Sequence, residues 1–281
     1  GAVVATTAFV VQKKPTQTFP GSFIRLVHGK NEAEKSEILR DARAEQRKFV
    51  TYLPPTKFSG IPGQPIAYWI SEKMRSIFAE AQYLGQLGNT RRGLQPGNAP
   101  QFVRKWFEVA FPSIGFDQTK SGFSDHNYTW APFNSGGEFR KWYGNLIDVV
   151  EWAGDGRSIK STGKAIIPSE TLYFKSALTW PKVGTGVCSF RWFPDGVIPG
   201  DAGPCFFANS DDADIQKRVL AIANSKATVG ALQVLSPTLN FEVGSMANLP
   251  ITDCEPNLAE HSFTTGVGNA KSDWDAYETS W

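Results

Sequence analysis

The chain has 281 residues, of which 41% are hydrophobic and 20% charged, a composition that allows a buried core and excludes a disordered tail. No stretch reaches the ~20 apolar residues of a membrane-spanning helix, so we expect no membrane partner. The net charge of +2 conceals a basic half, because residues 1–110 contain 16 Lys and Arg against 8 Asp and Glu. A basic half of this kind can bind a polyanion, although lysines and arginines on solvated helix faces would explain the same excess of positive charge.

The first third of the chain contains strand-like and helix-like segments. Val3–Val11 and Phe23–His28 have the β-branched and aromatic content of strands, and the turn-rich link between them predicts a hairpin. Asn31 is predicted to cap a charged helix that runs toward Arg47. The proline-rich stretch that follows predicts a domain boundary near residue 55.

The middle of the chain predicts two helices and a long loop. Ser71 is expected to cap a helix with one apolar stripe, and Asn98 a second helix that continues to Ala110. Residues 115–144 are rich in Gly, Asn and aromatic residues and predict a loop.

The second half predicts a β-sheet flanked by helices. After the strands, Asp211 or Asp212 is expected to cap a helix, and a second short helix should end near Ser236. The pattern therefore predicts a mixed α+β fold. The predicted strands are Ile147–Trp152, Thr171–Trp180, Val187–Phe193 and Cys205–Ala208.

The sequence contains no complete catalytic or metal-binding motif. Gly156–Lys164 approaches a phosphate-binding loop, but Ser158 stands where the first glycine is needed and Ala165 where Ser or Thr must hold magnesium. The three cysteines and three histidines are too scattered for a disulfide framework or a zinc site. We therefore expect reduced cysteines in a cytoplasmic protein, no metal and no catalytic residue.

One segment, Phe139–Asn145, combines two cations, three aromatic rings and an amide after a Gly-rich turn. Basic and aromatic residues interleaved in this way are typical of nucleic-acid surfaces, where the cations neutralise phosphates and Arg or Asn reads base edges. The alternative is that Trp142 and Tyr143 belong to the core and that Arg140 and Lys141 pair with nearby acids such as Glu138. With the further cations downstream, the candidate DNA contacts are Arg140, Lys141, Tyr143, Asn145, Arg157, Lys160, Lys164, Lys182 and Arg191.

Several segments, in order along nearly the whole chain, resemble the PglX adenine methyltransferases of BREX phage-defence systems. Type IIG restriction–modification enzymes share the pattern more loosely. Two positions depart from it, because Ser135 stands where Lys is common and Pro181 where a small polar residue is common. The resembling segments are Ile61–Glu72, Phe102–Val109, Pro132–Asn145, Thr179–Lys182, Phe190–Trp192, Pro194–Gly196, Leu235–Phe241, Asn248–Ile251 and Ser272–Trp281.

The resemblance implies a DNA target-recognition region without the catalytic domain. Residues 1–55 would be a terminal hairpin and helix of a class I methyltransferase domain plus connector, 56–251 the recognition domain, and 252–281 the start of a C-terminal extension. Leu53-Pro54-Pro55-Thr56 cannot replace the (Asp/Asn)-Pro-Pro-aromatic loop of an N6-adenine methyltransferase, because leucine accepts no hydrogen bond and threonine offers no stacking face. S-adenosylmethionine is therefore expected only in the full-length enzyme.

The expected partners are double-stranded DNA and the missing methyltransferase domain. Within the recognition region we favour Arg191 over Arg140 for reading a guanine edge, since a strand near two tryptophans can enter a groove. A rival interpretation is a protein-interaction module that docks other defence-system components, with the basic surface incidental. Duplex binding by the chain separates the two.

Overall fold

The computed structural model describes most of the chain as two compact units, which divide between Arg75 and Ser76. This division falls about twenty residues after the predicted boundary near residue 55. The assignment of residues 1–55 to a methyltransferase domain stays a prediction. The described residues are 7–11, 19–44, 50–184, 187–209 and 213–281.

The first unit contains a two-stranded antiparallel sheet. β1 (Gly21–Ile24) pairs with β2 (Val50–Leu53), so that Gly21 lies opposite Leu53. The predicted hairpin with Val3–Val11 is wrong for residues 7–11, which form no strand. The earlier part of that segment lies outside the described residues. The partner of β1 is instead β2, which follows the helix Glu32–Ala44 in the chain.

Phe23 of β1 is partly buried and packs against two other rings of the first unit. Its ring stacks on Tyr68 with centroids 4.9 Å apart and meets the edge of Phe58 at 5.6 Å. Helix α1 (Glu32–Ala44) begins as predicted, since the Asn31 Oδ1 accepts from the Glu34 N–H at 2.9 Å. Such a cap satisfies a backbone donor that the helix itself leaves free.

The remaining elements are short, and strands and helices alternate. Short 3₁₀ turns lie at Pro55–Lys57, Trp106–Glu108, Phe111–Ser113 and Glu170–Leu172. In chain order the elements are α2 (Glu72–Glu80), β3 (Gln82–Tyr83), α3 (Leu84–Leu87), β4 (Gly88–Arg91), α4 (Ala99–Phe102), β5 (Val103–Lys105), α5 (Lys120–Asp125), β6 (Trp130–Asn134), β7 (Asp148–Glu151), α6 (Ala153–Ser161), β8 (Ala177–Thr179), β9 (Arg191–Phe193), β10 (Ile198–Pro199), β11 (Cys205–Ala208), α7 (Ala213–Ala223), α8 (Lys226–Leu235), α9 (Val243–Ala247), β12 (Pro250–Ile251) and α10 (Pro256–Asp275).

Two four-stranded sheets organise the second unit. Their strand orders are β10-β6-β7-β5 and β4-β11-β8-β9, and every pairing is antiparallel except β10 with β6. The buried Asn134 at the end of β6 joins the sheets, since its amide donates to the Thr179 Oγ1 of β8 at 2.8 Å. The mixed α+β prediction is thus confirmed, although β4 and β5 come from the first half of the chain.

Two of the four predicted strands form over most of their length, and the other two form only in part. The predictions at Ile147–Trp152 and Cys205–Ala208 correspond to β7 and β11. The predicted strand Thr171–Trp180 forms only at β8, because Phe174 has a left-handed backbone with φ 67° that breaks the extended run. Val187–Phe193 likewise forms a strand only at β9.

The predicted helix from Asn98 to Ala110 is wrong. It consists of one turn, α4, followed by β5, in which Val103 pairs with Val150 and Lys105 with Asp148. The Lys105 Nζ also lies 2.7 Å from the Asp148 carboxylate. The apolar residues have helical spacing, but pairing with β7 satisfies the backbone and overrides the local preference. The predicted loop 115–144 contains α5 and β6, which the sequence pattern did not indicate.

The helix predicted to begin after Ser71 is confirmed, as are the two helices predicted before Ser236. The Ser71 Oγ accepts from the Met74 N–H at 3.2 Å where α2 begins, and Phe78 of this helix is fully buried. α7 and α8 lie where two helices were predicted before Ser236, while the predicted caps Asp211 and Asp212 lie outside the described residues. Within the described ranges, no helix is long and apolar enough to cross a membrane.

A substitution at Gly93, which packs against Pro199 of β10, tests how closely the chain packs at the junction between the sheets. A Cβ at this position would lie 2.1 Å from the Pro199 carbonyl oxygen, which accepts from the Leu94 N–H and is fixed there. We expect Gly93→Ala to lower the free energy of unfolding by about 1–3 kcal/mol, the usual effect of overpacking. Urea titration followed by circular dichroism measures the change.

The matched control is Gly244→Ala in α9, where nothing lies within 4 Å of the added carbon. We expect this variant to be unchanged or more stable by up to about 1 kcal/mol, because alanine favours helix. Equal losses in the two variants would contradict the proposed clash.

Candidate nucleic-acid interface

Residues 136–145, called here the left-handed loop, follow β6 and contain four of the nine predicted contact residues. A left-handed backbone is costly for residues other than glycine and requires compensating contacts. For Trp142 these are backbone hydrogen bonds, since its N–H donates to Phe190 and its carbonyl accepts from Trp192, each at 2.8 Å. The positive φ angles are 79° at Gly136, 94° at Gly137, 74° at Trp142, 113° at Gly144 and 61° at Asn145.

Arg191 on β9 holds this loop from the inside. Its side chain is buried, with the residue only 1% exposed, and its guanidinium donates to the carbonyls of Gly136 at 2.7 Å, Arg140 at 3.3 Å and Glu138 at 3.4 Å. Burial lowers the pKa of Arg191 to about 10, so the group stays charged at neutral pH. Arg191 therefore cannot present its donors to a base edge without releasing the loop, which removes the support for its predicted reading role.

Arg140 connects the left-handed loop to α10. Its guanidinium lies 2.7 Å from the Asp273 carboxylate and covers the rings of Trp274 and Tyr277, with centroid distances of 5.1 and 5.3 Å. Lys141 is also engaged, because its ammonium donates to the carbonyl of Asn224 at 2.8 Å, just beyond the end of α7. Both predicted phosphate contacts thus have structural partners in this conformation.

Tyr143 and Asn145 complete the internal support of the loop. Tyr143 is buried beside Trp192, its ring lies 5.6 Å from the Lys271 ammonium, and desolvation raises its pKa. The Asn145 amide donates to the carbonyl of Glu138 at 2.8 Å. These two side chains hold the loop together, and the burial of Tyr143 agrees with the alternative drawn from the sequence, in which its ring belongs to the core.

The four remaining predicted cations lie outside the loop. Lys160 lies 2.8 Å from the Glu170 carboxylate, and Lys182 lies 2.9 Å from that of Asp201. Arg157 and Lys164 are exposed, and their side chains have no hydrogen bond or ion pair with any residue the structure describes. Of the nine predicted contacts, these two are free to meet an anion.

A cleft of about 300 Å³ opens beside Lys164 and was not indicated by the sequence. Its apolar residues include the buried Leu94 and Phe133, and three polar residues join them: Gln95, Ser135 and Asp201. These residues are far apart in the chain and share no spacing pattern, so only the fold brings them together. Among the described residues, no group of His, Cys, Asp and Glu could hold a metal ion.

Alanine substitutions at two glycines of α10 test the contact between this helix and the left-handed loop. A Cβ on Gly266 would lie 2.5 Å from the Trp142 ring, whereas a Cβ on Gly268 would meet nothing within 4 Å. We expect Gly268→Ala to stabilise the chain by about 0.5–1 kcal/mol through helix propensity. Gly266→Ala should destabilise it and shift the tryptophan emission. If both variants become more stable by the same amount, α10 does not pack on Trp142.

A second test concerns the buried guanidinium. Arg191→Met removes the donors to three loop carbonyls, and a buried polar group without a partner costs roughly 1–3 kcal/mol. We expect a loss of about 2 kcal/mol or more in the free energy of unfolding, together with faster proteolysis within the left-handed loop. The exposed control Arg157→Met should change stability by less than about 0.5 kcal/mol. Equal stability of the two variants would exclude the holding role of Arg191.

Comparison with known proteins gives two relatives over the full length of the chain, whereas no family model matches it. The chain is 36% identical over 293 residues to the adenine-specific methyltransferase PglX of Lacticaseibacillus casei (strain Zhang) and 31% identical over 282 residues to the adenine-specific methyltransferase BrxX of Escherichia coli O9:H4 (strain HS). It covers 24% and 22% of these proteins, so it spans about a quarter of their length. The resemblance to PglX-type adenine-specific methyltransferases is thereby confirmed, and the whole chain corresponds to one part of such a protein.

Proposed function

We propose that this chain is the DNA-recognition region of an N6-adenine methyltransferase that marks host DNA as self in phage defence. The relatives are named adenine-specific methyltransferases, and the chain corresponds to only about a quarter of each. The residues present do not fit S-adenosylmethionine, since the chain has neither the Gly-rich strand-to-helix turn nor the amine-holding loop. In this proposal the chain holds the duplex, and a domain outside it supplies the cofactor and the chemistry.

The observation that carries the proposal is the pair of free cations, Arg157 on α6 and Lys164 just after it. Cations without carboxylate partners lose no ion pair when they meet a phosphate, so their full charge contributes to binding. Lys160 and Lys182 lie in exposed or half-exposed ion pairs, which are weak and can be exchanged for phosphates. We assign Arg140, Lys141, Tyr143 and Asn145 a structural role, because each of them is engaged within the protein.

The proposed recognition region includes α10. This helix packs against α7, and its Asp273 and Gly266 meet the left-handed loop through Arg140 and Trp142. Residues 252–281 were expected to start a separate extension. Because their contacts lie within the second unit, we propose instead that they support the recognition surface.

The rival function, docking of another defence-system protein, has one observation in its favour. Phe107 and Phe111 are 54% and 58% exposed and continue into a cluster of rings, with Phe111 and Phe116 5.2 Å apart. Exposed apolar surface of this kind is typical of protein contacts. The surface lies on a segment different from that of the free cations, so the two functions can be tested separately.

The proposal predicts salt-dependent binding to duplex DNA. Each phosphate contact contributes a slope of about −0.9 to a plot of log affinity against log salt, so we expect a total of roughly −3 to −6. Arg157→Ala and Lys164→Ala should each reduce the magnitude of that slope by about 0.9, because each removes one contact. Fluorescence anisotropy with a labelled duplex, titrated at several salt concentrations, measures the slope.

The matched control is Arg40→Ala, an exposed arginine on α1 of the first unit that lies outside the proposed surface. We expect its slope to equal that of the unchanged chain. A flat salt response, or no binding at low salt, would reject the DNA function and favour the docking module.

A further inference from the structure

The cleft beside Lys164 is built by loops that end together at the junction of the two sheets. One loop follows β4 and contributes Gln95, one follows β6 and contributes Ser135, and one follows β10 and contributes Asp201. The apolar part includes the buried Leu94 and Phe133. The fold thus brings three polar side chains from separate loops together at the mouth of a cleft of about 300 Å³.

The polar side chains of the cleft have free hydrogen-bonding capacity. Gln95 is exposed, and neither its side-chain amide nor the Ser135 hydroxyl has a hydrogen-bond partner among the described residues. The Asp201 carboxylate uses its Oδ2 for Lys182 at 2.9 Å, which leaves its Oδ1 available as an acceptor. The cleft thus offers an amide, a hydroxyl and a carboxylate oxygen.

The backbone of the cleft is fixed before any ligand arrives. The Leu94 N–H donates to Pro199 at 2.7 Å, and the Asp201 N–H donates back to Leu94 at 3.1 Å. Gln95 exchanges two backbone hydrogen bonds with Ile166, each 2.9 Å long. Groups held in place by their surroundings lose little entropy on binding, which favours discrimination between similar ligands.

The charge around the cleft suits DNA. The Lys164 backbone packs against Gly97, two residues from Gln95, and its side chain is exposed and unpaired within the described residues. A phosphate at Lys164 would place the adjoining nucleotides close to the cleft. Phosphate contacts set the position of a duplex, while side chains at the base edges determine sequence preference.

We propose that this cleft reads the major-groove edge of adenine or cytosine, the bases whose exocyclic amino group faces that groove, in a duplex bound as the proposed function describes. A glutamine amide can accept from the N6 amino group of adenine and donate to its N7, and a carboxylate accepts from the amino group of cytosine or adenine. Gln95 and Asp201 are the specificity-determining residues of the site. A thymine or guanine edge at this position would place a carbonyl oxygen opposite the Asp201 carboxylate.

The test uses the whole chain and a library of duplexes with a randomised central stretch, enriched by binding and then sequenced. We expect an enriched motif with adenine or cytosine at one position. Gln95→Ala should reduce discrimination at that position by roughly tenfold, the usual value of a good base contact, while affinity for DNA of unrelated sequence is unchanged. Asp201→Asn should change preference at the same position, because the amide adds a donor where the carboxylate only accepts.

The matched control is Gln233→Ala, which removes an exposed glutamine from α8 outside the cleft and should leave the motif intact. Urea titration of each variant measures its stability and so distinguishes loss of base recognition from loss of the folded state. If the chain binds duplex with the expected salt slope but the motif survives Gln95→Ala and Asp201→Asn, or no motif appears, the reading cleft is rejected and the proposed function stands. No duplex binding at low salt rejects both.

Discussion

A buried guanidinium, that of Arg191, fixes the left-handed loop, on which four of the nine sequence-predicted contacts lie. Taking a charge out of water is costly unless hydrogen bonds replace its hydration, and three loop carbonyls do so here. Those carbonyls point inward because the backbone turns left-handed at Gly136 and Gly137. The loop conformation and the buried charge therefore depend on each other.

The same loop has a second fixed side, formed by α10. Arg140 reaches Asp273 and the Trp274 ring, while Trp142 lies against Gly266, which has no side chain to obstruct it. A loop held from both sides has little freedom to adapt to a ligand. Its cations already have partners within the protein, and the unpaired cations proposed to meet DNA, Arg157 and Lys164, lie on a different segment.

Sequence reasoning succeeded where local chemistry decides the structure. Side-chain caps at Asn31 and Ser71 marked helix starts, because a backbone donor is satisfied within three residues. It failed where distant pairing decides, as at Val103, whose helical spacing yields to the strand opposite Val150. α10 was missed because Gly266 and Gly268 lower its intrinsic helix propensity, and contacts with α7 stabilise it instead. Family resemblance identified the relatives, but it could not tell that Arg191 is buried or that three loops meet in a cleft.

The contact between α10 and the left-handed loop limits how specificity can be exchanged between relatives. A loop grafted alone onto another scaffold would lose the carboxylate that meets Arg140 and could find a bulkier residue where Trp142 needs Gly266. The smallest transferable unit consequently joins two segments more than a hundred residues apart in the chain. Engineers who wish to retarget such a protein should move loop and helix as one cassette, or leave both in place and vary only residues such as Gln95 whose side chains hold nothing else.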